Sequence, residues 1–545
     1  MKRVLKVSYL IAFKRISKKF SQQTELDIAG VCISYPLMNI LLIYPPVAKP
    51  SEPPTGIARL AGFLNDNGVG VKTIDASLYG LLNLMNPEGL PDDIWTSRSS
   101  RRLQRNLAVL RRIETFHGTG RYTQAVTEIE RVLWASGRKI SAGSTVSLAD
   151  YHDKNLLPLR SADLLLCAEQ PEKNPFFGYF SRQVIPFIEK ESPDIVGLSV
   201  NYLSQAICAF ALAGLIRRLF PGMRIIMGGG LITAWKGLPD WKNPFEGLID
   251  DMVAGSGERF FGDVLKLKSI RNKIGYKYEY VKEDLPEYLS PVSIIPFAAS
   301  SACCWNRCSF CQERATSTEG FSCHAVPALK SLSAITYEYS PGLIHFVDST
   351  VPPVFLKKLA VDPPGVPWYG FARVTEELAD MDFCRALRLS GCRMLKLGIE
   401  SGDQDVLDSL DKGIDIGLAA KALEVLKSSG IATYIYLLFG TPQEDGESAL
   451  KTLDFVRENA ASIDFINAAI FNLPAACAHE SGLDLRDFYE GDLSLYRDFI
   501  HPKDWGRKKA RMFIDREFKR DPFVSAILRR TPKVFTSNHA PLFFL

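Results

Sequence analysis

The chain has 545 residues, enough for two to four domains, each with a core of its own. Hydrophobic residues make up 46% and charged residues 23%, a globular mix that excludes a disordered or fibrous chain. The net charge of +4 is too small to argue for a nucleic-acid partner, and no segment approaches the roughly 18 to 20 apolar residues that span a bilayer.

Residues 1–37 are basic and mildly amphipathic (MKRVLKVSYLIAFKRISKKF at the start) and read as an extension ahead of a fold that starts at Met38. A βα rhythm follows. Residues 39–46 (NILLIYPP) form an apolar run stopped by prolines, the pattern of a buried parallel strand. Residues 55–68 carry Ile57, Leu60, Ala61 and Leu64 at helical spacing before Gly68, and 69–77 (VGVKTIDAS) is the next strand. The rhythm pauses over about 78–191, which reads as a largely helical insertion. It resumes with a strand at 193–200, a helix at 204–220, a strand at 223–230 with a glycine exit, and a strand and loop at 247–258. Residues 38–280 therefore predict a doubly wound α/β domain of about five strands.

Residues 281–296 are punctuated by proline and read as a linker. Over 297–480, strands are expected at 343–349, 368–374, 393–402 and 432–442. Two intervening helices stop at Gly391 and Gly430, as suits the left-handed position just past a helix end. A βα unit recurring about every 40 residues predicts a βα barrel or half-barrel. Residues 481–545 break the rhythm and read as an α-rich appendix. Its stretch 507–530 holds nine basic and three acidic residues, the pattern of a solvated helix face. His479, His501 and His539 read as structural.

Eleven cysteines, an odd count with no secretory signal, predict a reducing, cytoplasmic setting more than a disulfide framework. Four of them, Cys303, Cys304, Cys308 and Cys311, crowd into SACCWNRCSFCQE (301–313). The spacing Cys304-x3-Cys308-x2-Cys311 puts three thiolates on one tight loop. Such soft ligands suit an iron–sulfur cluster or zinc. Zinc in a non-catalytic binding module would need a fourth ligand, for which Cys303, Cys323 and His324 are candidates.

CWNRCSFC resembles the C-x3-C-x-aromatic-C motif of the radical SAM (S-adenosylmethionine) superfamily, with Phe310 as the aromatic residue. Later segments match in order: HFVDST with Asp348, GFARV with Arg373, LGIESG with Glu400 and Ser401, and LLFGTPQED with Gly440, Pro442 and Glu444. The resemblance covers about residues 297–475. It implies a partial (β/α)6 barrel and a [4Fe–4S] cluster on Cys304, Cys308 and Cys311. It also implies SAM contacts from Phe310, Asp348, Arg373, Glu400, Ser401, Gly440 and Pro442, and an electron donor such as flavodoxin or ferredoxin. Reduction of SAM at the cluster would give a 5′-deoxyadenosyl radical. Cys303 is the surplus cysteine; if the segment is extended, Cys303 faces the barrel wall while Cys304 faces the cluster.

Residues 38–270, insertion aside, resemble the cobalamin-binding domain that precedes the barrel in many radical SAM enzymes. The matching segments are ILLIYPP, PDIVGLSVNYLSQ, RIIMGGG and DMVAGSGE. The resemblance implies cobalamin contacts from Ser199, Gly228, Gly229 and Gly230. The D-x-H-x-x-G motif of methionine synthase-type domains is missing: the loop after the first strand has no histidine, and DASLYG puts Ser77 in that place after the second strand. Cobalamin would therefore bind without a protein histidine. The function implied is cobalamin-dependent methyl transfer to an unactivated carbon of a small-molecule or peptide substrate. The alternative within the family is radical oxidation, rearrangement or cyclisation without methyl transfer.

Overall fold

The computed structural model describes residues 38–545 except 87, 268–276, 317–319 and 489. The basic extension 1–37 lies outside the described residues. Among the described residues no helix is long and apolar enough to cross a membrane.

The first parallel sheet has five strands among the described residues: β1 (Asn39–Tyr44), β2 (Gly70–Asp75), β3 (Ile195–Ser199), β4 (Arg224–Gly228) and β5 (Asp251–Met252). Their order is β2-β1-β3-β4-β5, so the chain reverses direction between β1 and β3. Ligands of open α/β sheets bind at such a switch point, beyond the strands' C-terminal ends. Helix α1 (Thr55–Asp66) connects β1 to β2 and stops at Gly68, whose φ of 77° suits a residue without Cβ. The insertion is mainly helical, as expected. Helices Ile94–Leu110 and Thr119–Ile140 dominate it, and a small hairpin pairs Ser144–Val146 with Tyr151–Asp153.

The second sheet has six parallel strands among the described residues, in strict chain order: β6 (Ile294–Phe297), β7 (Leu343–Phe346), β8 (Trp368–Ala372), β9 (Cys392–Glu400), β10 (Ala432–Phe439) and β11 (Phe465–Ile470). All neighbours pair in parallel. Gly391 and Gly430 take φ of 106° and 76° just beyond helices Met381–Leu389 and Ile416–Ser428, which is why those helices stop there.

Two expectations shift. The stretch 281–296 is more than a linker, because Lys282–Glu287 is a 3-10 turn and Ile294–Phe297 is already β6. Pro296 disguised that strand, and it is tolerated because β6 is at the sheet edge. The appendix opens as β structure: Leu485–Arg486 and Tyr496–Phe499 join Leu473–Pro474 in a small antiparallel sheet before the helices begin. Helix Arg507–Arg516 buries Ala510, Phe513 and Ile514 and leaves its basic residues largely in solvent, as its pattern predicted.

Side chains of the two sheets share one core. Leu41, Ile43 and Leu198 of the first sheet belong to the same cluster as Tyr369, Met394, Tyr434 and Phe465 of the second. Phe535, Ala540 and Leu542 from the C-terminal tail complete it. Tyr122 of the insertion and His539 of the tail are hydrogen-bonded at 3.0 Å inside this core, so His539 is structural. His501 is likewise buried, with Nε2 2.8 Å from the Thr441 carbonyl oxygen.

Candidate functional site

The cysteine loop leaves the end of β6 and is clamped from both sides. On one side stands Asp348, just past β7. Its Oδ2 accepts from Ala299 N at 3.0 Å, and its Oδ1 accepts from Ser300 N at 2.7 Å and Ser300 Oγ at 2.5 Å. Burial pushes the Asp348 carboxyl up, and these bonds pull it back. Both oxygens therefore hold the start of the loop.

On the other side lies the turn after β9. Ser309 N donates to Leu410 O at 3.0 Å, and Trp305 Nε1 donates to Asp411 O at 2.8 Å. Arg373, just past β8, donates through Nη2 to the carbonyls of Lys412 and Gly413, the latter at 2.8 Å, and its guanidinium covers Trp305. Gly413 has φ 60°, and a Cβ there would collide with Trp305. Asp411, Lys412 and Gly413 are thus the seat on which the cysteine loop rests.

Cys304, Cys308 and Cys311 are half-buried in this loop, and burial pushes all three thiols up. Two cations oppose that. Lys412 and Arg373 both favour the Cys308 thiolate, and Arg373 favours that of Cys304. A three-thiol loop flanked by cations fits an anionic, thiolate-bound group. Among the described residues, no three His, Cys, Asp or Glu side chains converge as one metal ion would need.

The extended backbone from which Cys303 was expected to face the barrel wall is not there. The segment is not extended there: Ala302 has φ 55°, and the pairing of Ser300–Ser301 with Ser322–Cys323 has just ended. Cys303 is half-buried, and its charge would be felt by Cys304, Cys311 and Arg373.

The other expected SAM residues divide into two groups. Phe310 and Glu400 meet through Lys412, whose Nζ is 2.8 Å from Glu400 Oε1 and 5.6 Å from the Phe310 ring centre. Glu400 takes a left-handed φ of 67° at a register shift of β9, which turns its side chain to Lys412. Ser401 is tied elsewhere: it is fully buried, 3.3 Å from Thr452 Oγ1, and accepts from Asp403 N. Gly440 (φ 79°) donates its N–H to Glu444, which also accepts from Trp505 Nε1 at 3.1 Å. Pro442 lies inside that turn. Asp348 and Arg373 do not pair with each other.

A cavity of about 810 Å³ opens where the first sheet's switch point meets the cysteine loop. Ser199, Gly228, Gly229 and Gly230 line it from the first sheet, and Ser301, Ala302, Gln312 and Glu313 line it from the loop. The glycines differ in their reasons. Gly229, at φ 106°, has its Cβ position against the Val200 backbone, a packing need, whereas at Gly228 and Gly230 a Cβ would meet nothing closer than 3.6 Å. No histidine is among the described residues lining this cavity. Ser77 does not reach for it; its hydroxyl bonds the backbone of Ala48 on both sides, at 2.7 and 3.1 Å.

No family model matches the chain. A curated relative, an uncharacterized methyltransferase of Pyrococcus horikoshii, is 25% identical over 316 residues, which is 50% of this chain and 66% of the relative, just under two thirds of its length. Among solved structures, the cobalamin-dependent SAM radical enzyme OxsB in its apo form matches with a TM-score of 0.50 at 13% identity, over 88% of this chain and 66% of OxsB. The radical SAM methyltransferase TsrM of Kitasatospora setae, with cobalamin and a [4Fe–4S] cluster bound, matches with a TM-score of 0.48 at 14% identity, over 80% and 76% of the two chains. With its two parallel sheets joined in one core, the chain shares the mixed α/β fold of OxsB.

Proposed function

We propose that the protein is a cobalamin-dependent radical SAM methyltransferase, acting on an unactivated carbon of a small molecule. The observation that carries this reading is the position of the 810 Å³ cavity, bounded by the first sheet's strand ends on one side and the three-cysteine loop on the other. A nucleotide-like cofactor held there lies directly beside the loop. In this reading residues 38–280 are the cobalamin-binding domain and 297–480 a partial (β/α)6 barrel, for which six parallel strands in chain order speak.

Cys304, Cys308 and Cys311 would hold the cluster, and Phe310 and Glu400 would border SAM, with Arg373 and Lys412 offsetting the negative charge. When bound, these cofactors supply a 5′-deoxyadenosyl radical and a transferable methyl group. The chain's own work is to hold the loop rigid through Asp348 and Arg373, to let a flat ligand approach at Gly228 and Gly230, and to keep water from the centre. Ser199 offers a hydroxyl at the end of β3. The cluster needs an outside electron donor such as flavodoxin or ferredoxin, in a reducing, cytoplasmic setting.

Anaerobic purification with iron, sulfide and cobalamin analysis tests this. Iron and sulfide with cobalamin, followed by transfer of labelled methyl from SAM, is the expected result. Iron without cobalamin would favour radical chemistry without methyl transfer, and zinc without iron would sink both.

A further inference from the structure

A second cavity, of about 560 Å³, lies against the face of the six-stranded sheet that turns toward the first domain. It adjoins the first cavity, since Gly56, Asn201 and Tyr202 line both. Strand register puts His345 beside Tyr369 and Phe371 beside Lys396 on that face. Lys396 is four residues before the end of β9 at Glu400, or about 13 Å deeper than the strand end at the rise of a β-strand.

An ordered chain of polar groups crosses this floor. Glu52, from the loop after β1, meets His345 Nδ1 at 2.8 and 3.0 Å through its two oxygens. Lys396 Nζ is 2.9 Å from His345 Nε2. A protonated lysine can only donate, so Nε2 accepts and Nδ1 carries the proton that goes to Glu52. Burial holds the imidazole below its usual range, which keeps this neutral form.

Lys396 itself is 4% exposed. Beyond His345, its ammonium faces aromatic rings, 4.4 Å from the centre of Phe371 and 5.2 Å from that of Tyr369. Lys49 lines the same cavity and opposes the charge on Lys396. Two ammonium groups thus stand against one carboxylate, Glu52. Asp75, the other carboxylate lining the cavity, bonds Ser77 N, Leu78 N and the Tyr288 hydroxyl and pairs with neither lysine. Burial lowers Lys49 and takes Lys396 down to about 8, as expected for cations short of an anion. Buried charge without a full partner is costly unless a ligand completes it.

We infer that this inner cavity is the substrate chamber, and that it selects a small molecule with one carboxylate, paired to Lys396 and Lys49 while its apolar body lies along Phe371 and Tyr202. The inference rests on the proposed function only for the word substrate; the anion site stands on its own geometry. His345 and Glu52 are positioning residues, which hold the ammonium aimed inward.

The test is fluorine NMR titration of the full-length protein with para-fluorophenylacetate and its uncharged amide. The carboxylate should bind and the amide should bind at least about tenfold more weakly, the scale of one charge-assisted hydrogen bond. Lys396→Met should weaken the carboxylate about tenfold, whereas Glu52→Gln, which removes the competing negative charge, should tighten it. A misfolded variant cannot gain affinity, so Glu52→Gln separates the charge argument from simple damage. Equal binding of acid and amide, no binding of either, unchanged affinity in Lys396→Met, or weakening in Glu52→Gln would each overturn the inference. The titration needs neither iron nor cobalamin, so it can succeed where the methyltransferase reading fails, or fail where that reading holds.

Discussion

Arg373 lies over the indole of Trp305, with its guanidinium carbon 3.8 Å from the ring centre, while the same side chain donates to the Gly413 carbonyl at 2.8 Å. One arginine thus joins a residue between Cys304 and Cys308 to the turn beyond β9. The stacking contributes about 1 kcal/mol or more where water is excluded, and the charged hydrogen bonds add about 1.5 to 3 kcal/mol each. Arg373→Lys keeps the charge but loses the planar stack and the fork. Iron retained per chain after reconstitution should fall several-fold. If iron stays complete and only SAM affinity drops, Arg373 serves SAM directly and not the loop.

Gly413→Ala attacks the same seat from the other side. The variant must adopt φ near 60° and push a methyl into Trp305, at a cost of about 1 to 3 kcal/mol. The fold as a whole should survive, because Lys412 and Gly413 take no part in the hydrophobic core. Iron should bind more weakly, and the thermal midpoint should move by only a few degrees. Full iron content in this variant would mean that the loop does not depend on the turn.

Asp348→Asn separates two roles for a single carboxylate. Its oxygens accept from Ala299 and Ser300, so the amide leaves one of those donors facing an NH2 group. A loss of about 1 to 3 kcal/mol is expected, read as a lower unfolding midpoint together with reduced iron. A residue that touched SAM alone would leave both unchanged.

How far the sequence carried depends on whether a feature is local. Gly391 and Gly430 could be recognised because a helix stop is written in a few consecutive residues, and the cysteine loop stood out because three of its thiols fall within eight positions. The first strand of the second sheet was hidden by Pro296, whose penalty vanishes at an edge that only tertiary pairing defines. The orientation of Cys303 was lost because it rested on extended backbone, and Ala302 breaks that. The chain Glu52–His345–Lys396 joins three distant segments, and no spacing rule links them. Its trace was nonetheless visible: a histidine inside LIHFVDS and a lysine inside RMLKLGIESG interrupt strands that are otherwise apolar at their centres, where charge is rarely buried without a task.

The surplus cysteine gives a sharp comparison. Cys303→Ala should retain the full iron content, while Cys304→Ala, Cys308→Ala and Cys311→Ala should each lose most of it. Loss of iron in Cys303→Ala with retention in Cys304→Ala would show that the ligand register is displaced by one residue.

Glu444 predicts a pH dependence of stability. Burial drives its carboxyl up to about 8, although Gly440 N and Trp505 Nε1 both donate to Oε2 and pull the other way. Its Oε1 is buried with no partner, which is where the retained proton belongs. The folded state then binds a proton that the unfolded chain, with an ordinary glutamic acid, has already released. Stability from this group is therefore full below the unfolded value near 4.5 and declines as pH rises toward 8, by about 1.4 kcal/mol per pH unit at most. Glu444→Gln mimics the protonated acid. It should match the parent protein near pH 5 and exceed it by a few kcal/mol above pH 8. Denaturant unfolding at several pH values reads this directly. If the two proteins keep a constant difference across that window, Glu444 is already ionised in the folded state and the turn tolerates its charge.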